Sequence, residues 1–282
     1  MEINKVFVLG AGVMGTGIAQ TFAQGGFDVT IYDIDSGVVN KAISSVEKRM
    51  SSSVEKGKIT EAQKTEVVSR LKGTVDLNDV KECAMVVEAI GEGLELKKKV
   101  YAQLDAVCTE GTILATNTSS LSITEIASAT KHPENVIGMH FFNPAPVMKL
   151  VEIIMGMKTS TEVFEQTRDI AIAIGKTPVT VSEAPGFIVN RMLVPLVNEA
   201  TFILQEGIAS VEDIDAAMQF GANHPMGPLA LGDLMGLDVA LAVLDILVKE
   251  TGDPKYRASA LLRKYVRAGM LGRKTGKGFY TY

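Results

Sequence analysis

The chain has 282 residues, 46% of them hydrophobic, enough to bury a large core and to divide into two domains. A formal net charge of −5 and a pI near 5.4 argue against the basic face that a nucleic-acid partner needs. No apolar run reaches spanning length and Met1 to Lys5 lead straight into a strand without a signal peptide, so a cytoplasmic protein without a membrane partner is expected.

The first element is an apolar strand, Val6 to Leu9, that enters Gly10-Ala11-Gly12-Val13-Met14-Gly15 and leaves as a helix over Thr16 to Gln24. The spacing G-x-G-x-x-G between strand and helix is that of a dinucleotide-binding turn. Gly10 makes the turn, Gly12 admits a pyrophosphate to the backbone, and Gly15 lets helix and strand pack closely. Phosphates then meet the N–H groups of the helix N-terminus beside Val13 and Met14. A second strand, Phe27 to Tyr32, ends in Asp33, where a carboxylate meets the adenosine ribose and repels a 2′-phosphate. NAD is the cofactor expected.

The segment Ser36 to Leu71 reads as one or two helices with a turn at Glu55-Lys56-Gly57-Lys58, a helical hairpin inserted beside the nucleotide crevice. Strands then alternate with helices: Ala84 to Ile90, helix Leu94 to Val107, Thr112 to Thr116, helix Ile123 to Ser128, Val136 to Phe141. Further strands at Lys149 to Met155 and Val179 to Ser182 flank a helix over Glu162 to Ile174. Such alternation predicts a mainly parallel, Rossmann-like sheet of about eight strands. At Ser182-Glu183-Ala184-Pro185-Gly186 the strands stop. Residues 1–183 are therefore expected to form the NAD-binding α/β domain and 184–282 an all-α domain, with helices over Phe187 to Leu204, Val211 to Phe220 and Leu237 to Val248. Their excess of apolar surface predicts a homodimer through this second domain, with a larger assembly open. The cysteines, Cys83 and Cys108, lie in apolar contexts without a CxxC spacing and read as buried free thiols; no metal site is expected.

Of the three histidines, His132 and His224 precede proline in polar loops and read as turn residues. His140 ends an apolar strand at the edge where parallel sheets bind ligands. Glu152, twelve residues on, stands inside Leu150-Val151-Glu152-Ile153-Ile154, where an unpaired buried carboxylate would cost several kcal/mol. If the two strands are neighbours, Glu152 accepts from one imidazole nitrogen, fixes the tautomer and leaves the other nitrogen to act as general acid/base. A purely structural His–Glu pair would leave the same pattern in the sequence. The loop Thr116-Asn117-Thr118-Ser119-Ser120 either caps the next helix or holds a substrate oxygen or the nicotinamide ribose, and Asn190 could polarise a carbonyl.

These stretches, Asn117-Thr118-Ser119-Ser120-Leu121, His140-Phe141-Phe142-Asn143-Pro144, Pro146 to Glu152, Pro185 to Arg191, Asn223 to Pro228 and Gly272 to Tyr280, resemble the 3-hydroxyacyl-CoA dehydrogenase family over essentially the whole chain. Within it the chain looks most like the short, single-function bacterial members that act on four-carbon thioesters. The resemblance implies reversible, NAD(H)-dependent interconversion of (S)-3-hydroxybutyryl-CoA and acetoacetyl-CoA in short-chain fatty acid and butanoate metabolism. It implies His140 as general acid/base, Glu152 as its partner, and Ser119 and Asn190 on the substrate oxygen. It also implies NAD contacts at Asp33, Glu92, Lys97, Asn117, Ser119, Asn143 and Lys274, and CoA contacts at Ser51, Lys56 and Lys58. Two other readings differ in substrate or in chemistry: a dehydrogenase of a free 3-hydroxy acid, and a nucleotide sensor without catalysis.

Overall fold

The computed structural model describes residues 3–282, and the chain divides into two units, one up to Ala184 and one from Pro185 to Tyr282. The first is built on eight strands: β1 Lys5–Leu9, β2 Asp28–Tyr32, β3 Leu71–Thr74, β4 Met85–Glu88, β5 Ile113–Thr116, β6 Val136–Phe141, β7 Leu150–Met155 and β8 Thr177–Ser182. Their order across the sheet is β3-β2-β1-β4-β5-β6-β7-β8. Neighbours pair in parallel except β6 and β7, which are antiparallel. The chain reverses direction across the sheet between β1 and β4, so the carboxyl ends of these strands open the crevice of a Rossmann fold.

Helices cover both faces, which is why β4, β5 and β6 are buried along their whole length and written as nearly unbroken apolar runs. Helix α1, Val13–Gln24, packs Ile18, Ala19, Phe22 and Ala23 into the main core. The expected hairpin is α2, Ser36–Glu55, capped by Asp35, and α3, Glu61–Ser69, opened by a reciprocal Thr60–Gln63 capping box. Helix α4 runs Leu94–Val107, α5 Ile123–Ala127 and α6 Thr161–Ala173. Strand β3 was not expected: Leu-Lys-Gly-Thr at the sheet edge is partly exposed and carries no apolar run.

The second unit is helical: α7 Val189–Gln205, α8 Val211–Ala216, α9 Pro228–Met235, α10 Leu237–Thr251 and α11 Ala260–Arg267. Val194, Leu237, Ala240, Leu244, Leu247 and Leu262 form its main core, and Ala200, Ile214 and Leu229 a smaller one. The helix expected over Val211 to Phe220 stops at Ala216 and passes into a wider turn, Ala217–Gly221. No helix among the described residues is long and apolar enough to cross a membrane.

Candidate active site

The nucleotide end of the crevice is shaped by what the glycines lack. Gly10 has φ +104°, and a Cβ there would lie 2.7 Å from the carbonyl oxygen of Ala89; a Cβ on Gly15 would overlap the carbonyl of Gly10. The chain thus passes over the end of β4 and turns directly into α1. Gly12 caps α1 without any side-chain hydrogen bond, nothing lies within 4 Å of its missing side chain, and Val13 is exposed. The helix N-terminus is therefore open to an anion. Asp33, just past β2, accepts the Ala11 N–H at 2.9 Å on Oδ2, which holds its charge at the same rim. An open helix N-terminus beside a fixed carboxylate fits a dinucleotide whose ribose keeps its 2′-hydroxyl.

His140 and Glu152 stand directly opposite each other in the antiparallel β6–β7 register, so their side chains share one face. Imidazole Nδ1 lies 2.8 Å from Glu152 Oε2, and the two side chains are 6% and 1% exposed. A carboxylate only accepts, so Nδ1 carries the donated proton and Nε2 is the nitrogen able to take or give one. The Phe142 ring lies 4.5 Å from the imidazole. Asn117 Oδ1 accepts the Phe141 N–H at 2.8 Å, fastening the end of β5 to the end of β6.

The loop after β5 is gathered onto one oxygen. Glu92 Oε1 accepts from Thr118 Oγ1 at 2.6 Å, from Ser119 N at 2.8 Å and from Ser119 Oγ at 3.1 Å. Capping of α5, the other use considered for this loop, belongs to Ser122, whose hydroxyl accepts from Glu125 N. Lys97, expected at the cofactor, sits beneath this loop. It is 1% exposed, its Nζ 2.6 Å from Oε1 of the wholly buried Glu88 and 3.7 Å from Glu92 Oε2. An ammonium this buried needs a carboxylate, and Glu88 supplies it.

The other expected residues are spread more widely. Asn143 is exposed in the turn after β6; Ser51 lies in α2, and Lys56 and Lys58 are exposed at the hairpin turn. Asn190 and Lys274 belong to the second unit, where Lys274 Nζ donates to Asp238 Oδ2 at 2.7 Å. Lys176 was not anticipated. Buried, it donates to the carbonyls of Ala145 at 2.6 Å and Met148 at 2.8 Å and so clamps the turn between His140 and Glu152. Its only signal in the sequence is a lysine between a helix-ending glycine and a strand. Cys83 is buried and Cys108 half-buried, both free, with burial pushing the thiols up to about 11 and about 12.

A Rossmann crevice with a hydrogen-bonded His–Glu pair near its strand ends has the layout of a nicotinamide-dependent oxidoreductase. Residues 5–184 match the family model for the NAD binding domain of 3-hydroxyacyl-CoA dehydrogenase, and residues 186–282 match that for its C-terminal domain. The chain belongs to the 3-hydroxyacyl-CoA dehydrogenase family, and its cofactor is NAD. It is 53% identical over 278 residues to a 3-hydroxybutyryl-CoA dehydrogenase of Clostridioides difficile, covering 99% of each chain. It is 48% identical to a probable 3-hydroxybutyryl-CoA dehydrogenase of Bacillus subtilis, covering 100% of this chain and 98% of the other. The crystal structure of (S)-3-hydroxybutyryl-CoA dehydrogenase from Ralstonia eutropha superposes with a TM-score of 0.97 at 47% identity, covering 100% and 99% of the two chains.

Proposed function

We propose that the chain interconverts (S)-3-hydroxybutyryl-CoA and acetoacetyl-CoA with NAD(H), within short-chain fatty acid and butanoate metabolism in the cytoplasm. The observation that carries this reading is the His140–Glu152 pair, 2.8 Å apart at the carboxyl end of the sheet. NADH, when bound by the Gly10–Gly15 turn and Asp33, supplies a hydride to C3 of the acyl chain. In that direction the imidazolium of His140 gives its Nε2 proton to the oxygen becoming a hydroxyl. Glu152 keeps the Nδ1 proton in place and stabilises the imidazolium, and in the oxidative direction neutral Nε2 takes the hydroxyl proton. Ser119 and Asn190 are read as the residues that bind and polarise the C3 oxygen. Asn117, Asn143, Glu92, Lys97 and Lys274 are read as contacts to the cofactor, and Ser51, Lys56 and Lys58 as contacts to CoA.

The identity of the relatives supports the four-carbon thioester over a free hydroxy acid. The test is oxidation of NADH, followed by absorbance, with acetoacetyl-CoA and separately with free acetoacetate, and with NADPH in parallel. Turnover with NADH and the thioester alone is expected; equal turnover of free acetoacetate would overturn the CoA assignment. We further propose a homodimer through the second unit, where Met192, Ile208 and Phe220 are 70%, 67% and 89% exposed. A monomeric mass by light scattering at micromolar concentration would refute it.

A further inference from the structure

Beneath the Ser119 loop lies a row of alternating charges that the acid–base chemistry does not use. Glu88 ends β4 with no exposed surface. Its Oε1 accepts from Ile90 N at 2.7 Å and Lys97 Nζ at 2.6 Å, and its Oε2 from Thr116 Oγ1 at 2.7 Å. One carboxylate thus joins the ends of β4 and β5, the loop that follows β4, and the first turn of α4. Lys97 stands between it and Glu92, whose far oxygen gathers Thr118 and Ser119. The order is Glu88, Lys97, Glu92, Ser119.

We propose that Glu88 is a positioning residue: by holding the Lys97 ammonium it leaves Glu92 committed to the Ser119 loop. An ammonium shared by two carboxylates lies nearer the better one, here at 2.6 Å against 3.7 Å. With Glu88 neutral, Lys97 would remain buried with Glu92 as its one close carboxylate. Around the buried ammonium that attraction is strong enough to draw the half-exposed Glu92 from the Ser119 N–H and the Thr118, Ser119 and Ser120 hydroxyls. Among the described residues no third carboxylate lies within 4 Å of the Lys97 ammonium. Tyr101, wholly buried nearby, keeps its proton because burial, and then the charge of Glu88, push its pKa well above the usual phenol range. The consequence for catalysis rests on the reading of Ser119 given above; the consequence for the loop does not.

The experiment compares wild type, Glu88→Gln and the double variant Glu88→Gln/Lys97→Met. It follows hydrogen exchange of the amides of residues 118–121 alongside kcat and KM for acetoacetyl-CoA and the NADH dissociation constant by fluorescence. Glu88→Gln is expected to speed loop exchange about tenfold and to lower kcat by a similar factor, with a smaller change in NADH affinity. The double variant, which also removes the ammonium, is expected to recover loop protection, since a buried ion pair replaced by neutral groups is often tolerated. Wild-type exchange in Glu88→Gln, or a double variant as loose as the single one, overturns the proposal. Where Glu88→Gln does not fold, Glu88→Asp keeps the charge one methylene short and should loosen the same amides, and unchanged exchange there overturns the proposal equally. A loosened loop in a protein whose wild type turns over no thioester supports the positioning role and overturns the functional reading instead.

Discussion

Among the described residues four carboxylates are buried, two in each unit, and they are satisfied in opposite ways. In the sheet unit each meets a side chain that can carry positive charge: Glu152 meets His140, and Glu88 meets Lys97. In the helical unit each is met by the backbone and by tyrosine. Asp215 accepts Leu229 N at 2.8 Å and Ala230 N at 2.9 Å in the first turn of α9, and the Tyr280 hydroxyl at 2.9 Å. Asp233 accepts Phe279 N, Tyr280 N and the Tyr282 hydroxyl. Backbone amides cannot titrate or swing away, so these two aspartates pin the last residues of the chain to the helices. A histidine or lysine partner can change its charge or its allegiance, which is what proton transfer and loop positioning require. Tyr280 shows the cost on the helical side: burial first, then the bond to Asp215, raises its pKa far above the ordinary phenol value, so it serves only as a donor.

The largest test of this contrast is His140→Gln, expected to lower kcat about a thousandfold while NADH still binds, measured by steady-state kinetics and fluorescence titration. Near-normal turnover would make the pair structural and erase the difference between the units. Glu152→Gln, which keeps the shape and removes the charge, should lower kcat about a hundredfold and move KM less. Asp233→Asn should act on stability instead. Turning an acceptor into an amide against two N–H groups is expected to cost about 2–3 kcal/mol in urea unfolding, with kcat of the folded fraction little changed. A kcat loss larger than the stability loss would break the comparison.

Acids buried without a charged partner give an effect confined to high pH. In the unfolded chain the thiols lose their protons near pH 9, whereas folded Cys83 and Cys108 hold theirs to about 11 and about 12. Unfolding therefore releases protons in this window, and stability should fall as pH rises from 9 toward 11. A Cys83→Ala/Cys108→Ala variant should flatten the fall of Tm between about pH 9 and 11 by several degrees. An unchanged slope would mean that the thiols ionise in the folded protein as freely as in the unfolded chain.

Much of the sheet was legible because parallel strands buried on both faces need unbroken apolar runs, and Val136–Phe141 and Leu150–Met155 could be bounded to within a residue. Edge strand β3 escaped because exposure removes that requirement. Helices α9 and α11 escaped because eight residues between glycines and prolines leave too little periodicity to read. His140 and Glu152 were legible as an expensive pair in apolar strands. Glu88 was not, although its strand was, because its partners Lys97 and Thr116 stand 9 and 28 residues away and nothing local ties them together.

By itself the sequence determined the elements whose cause is local: the glycine turn that only Gly10 and Gly15 permit, the apolar strands, the capped hairpin and the acid after β2. The tertiary structure alone decided which distant groups share a low-polarity space. It set Lys97 between Glu88 and Glu92, set His140 against Glu152 by reversing one strand, and brought Asp215 and Asp233 to the end of the chain. The reason is physical: propensity and periodicity act over a few residues, but the charge a buried group tolerates depends on every element packed around it.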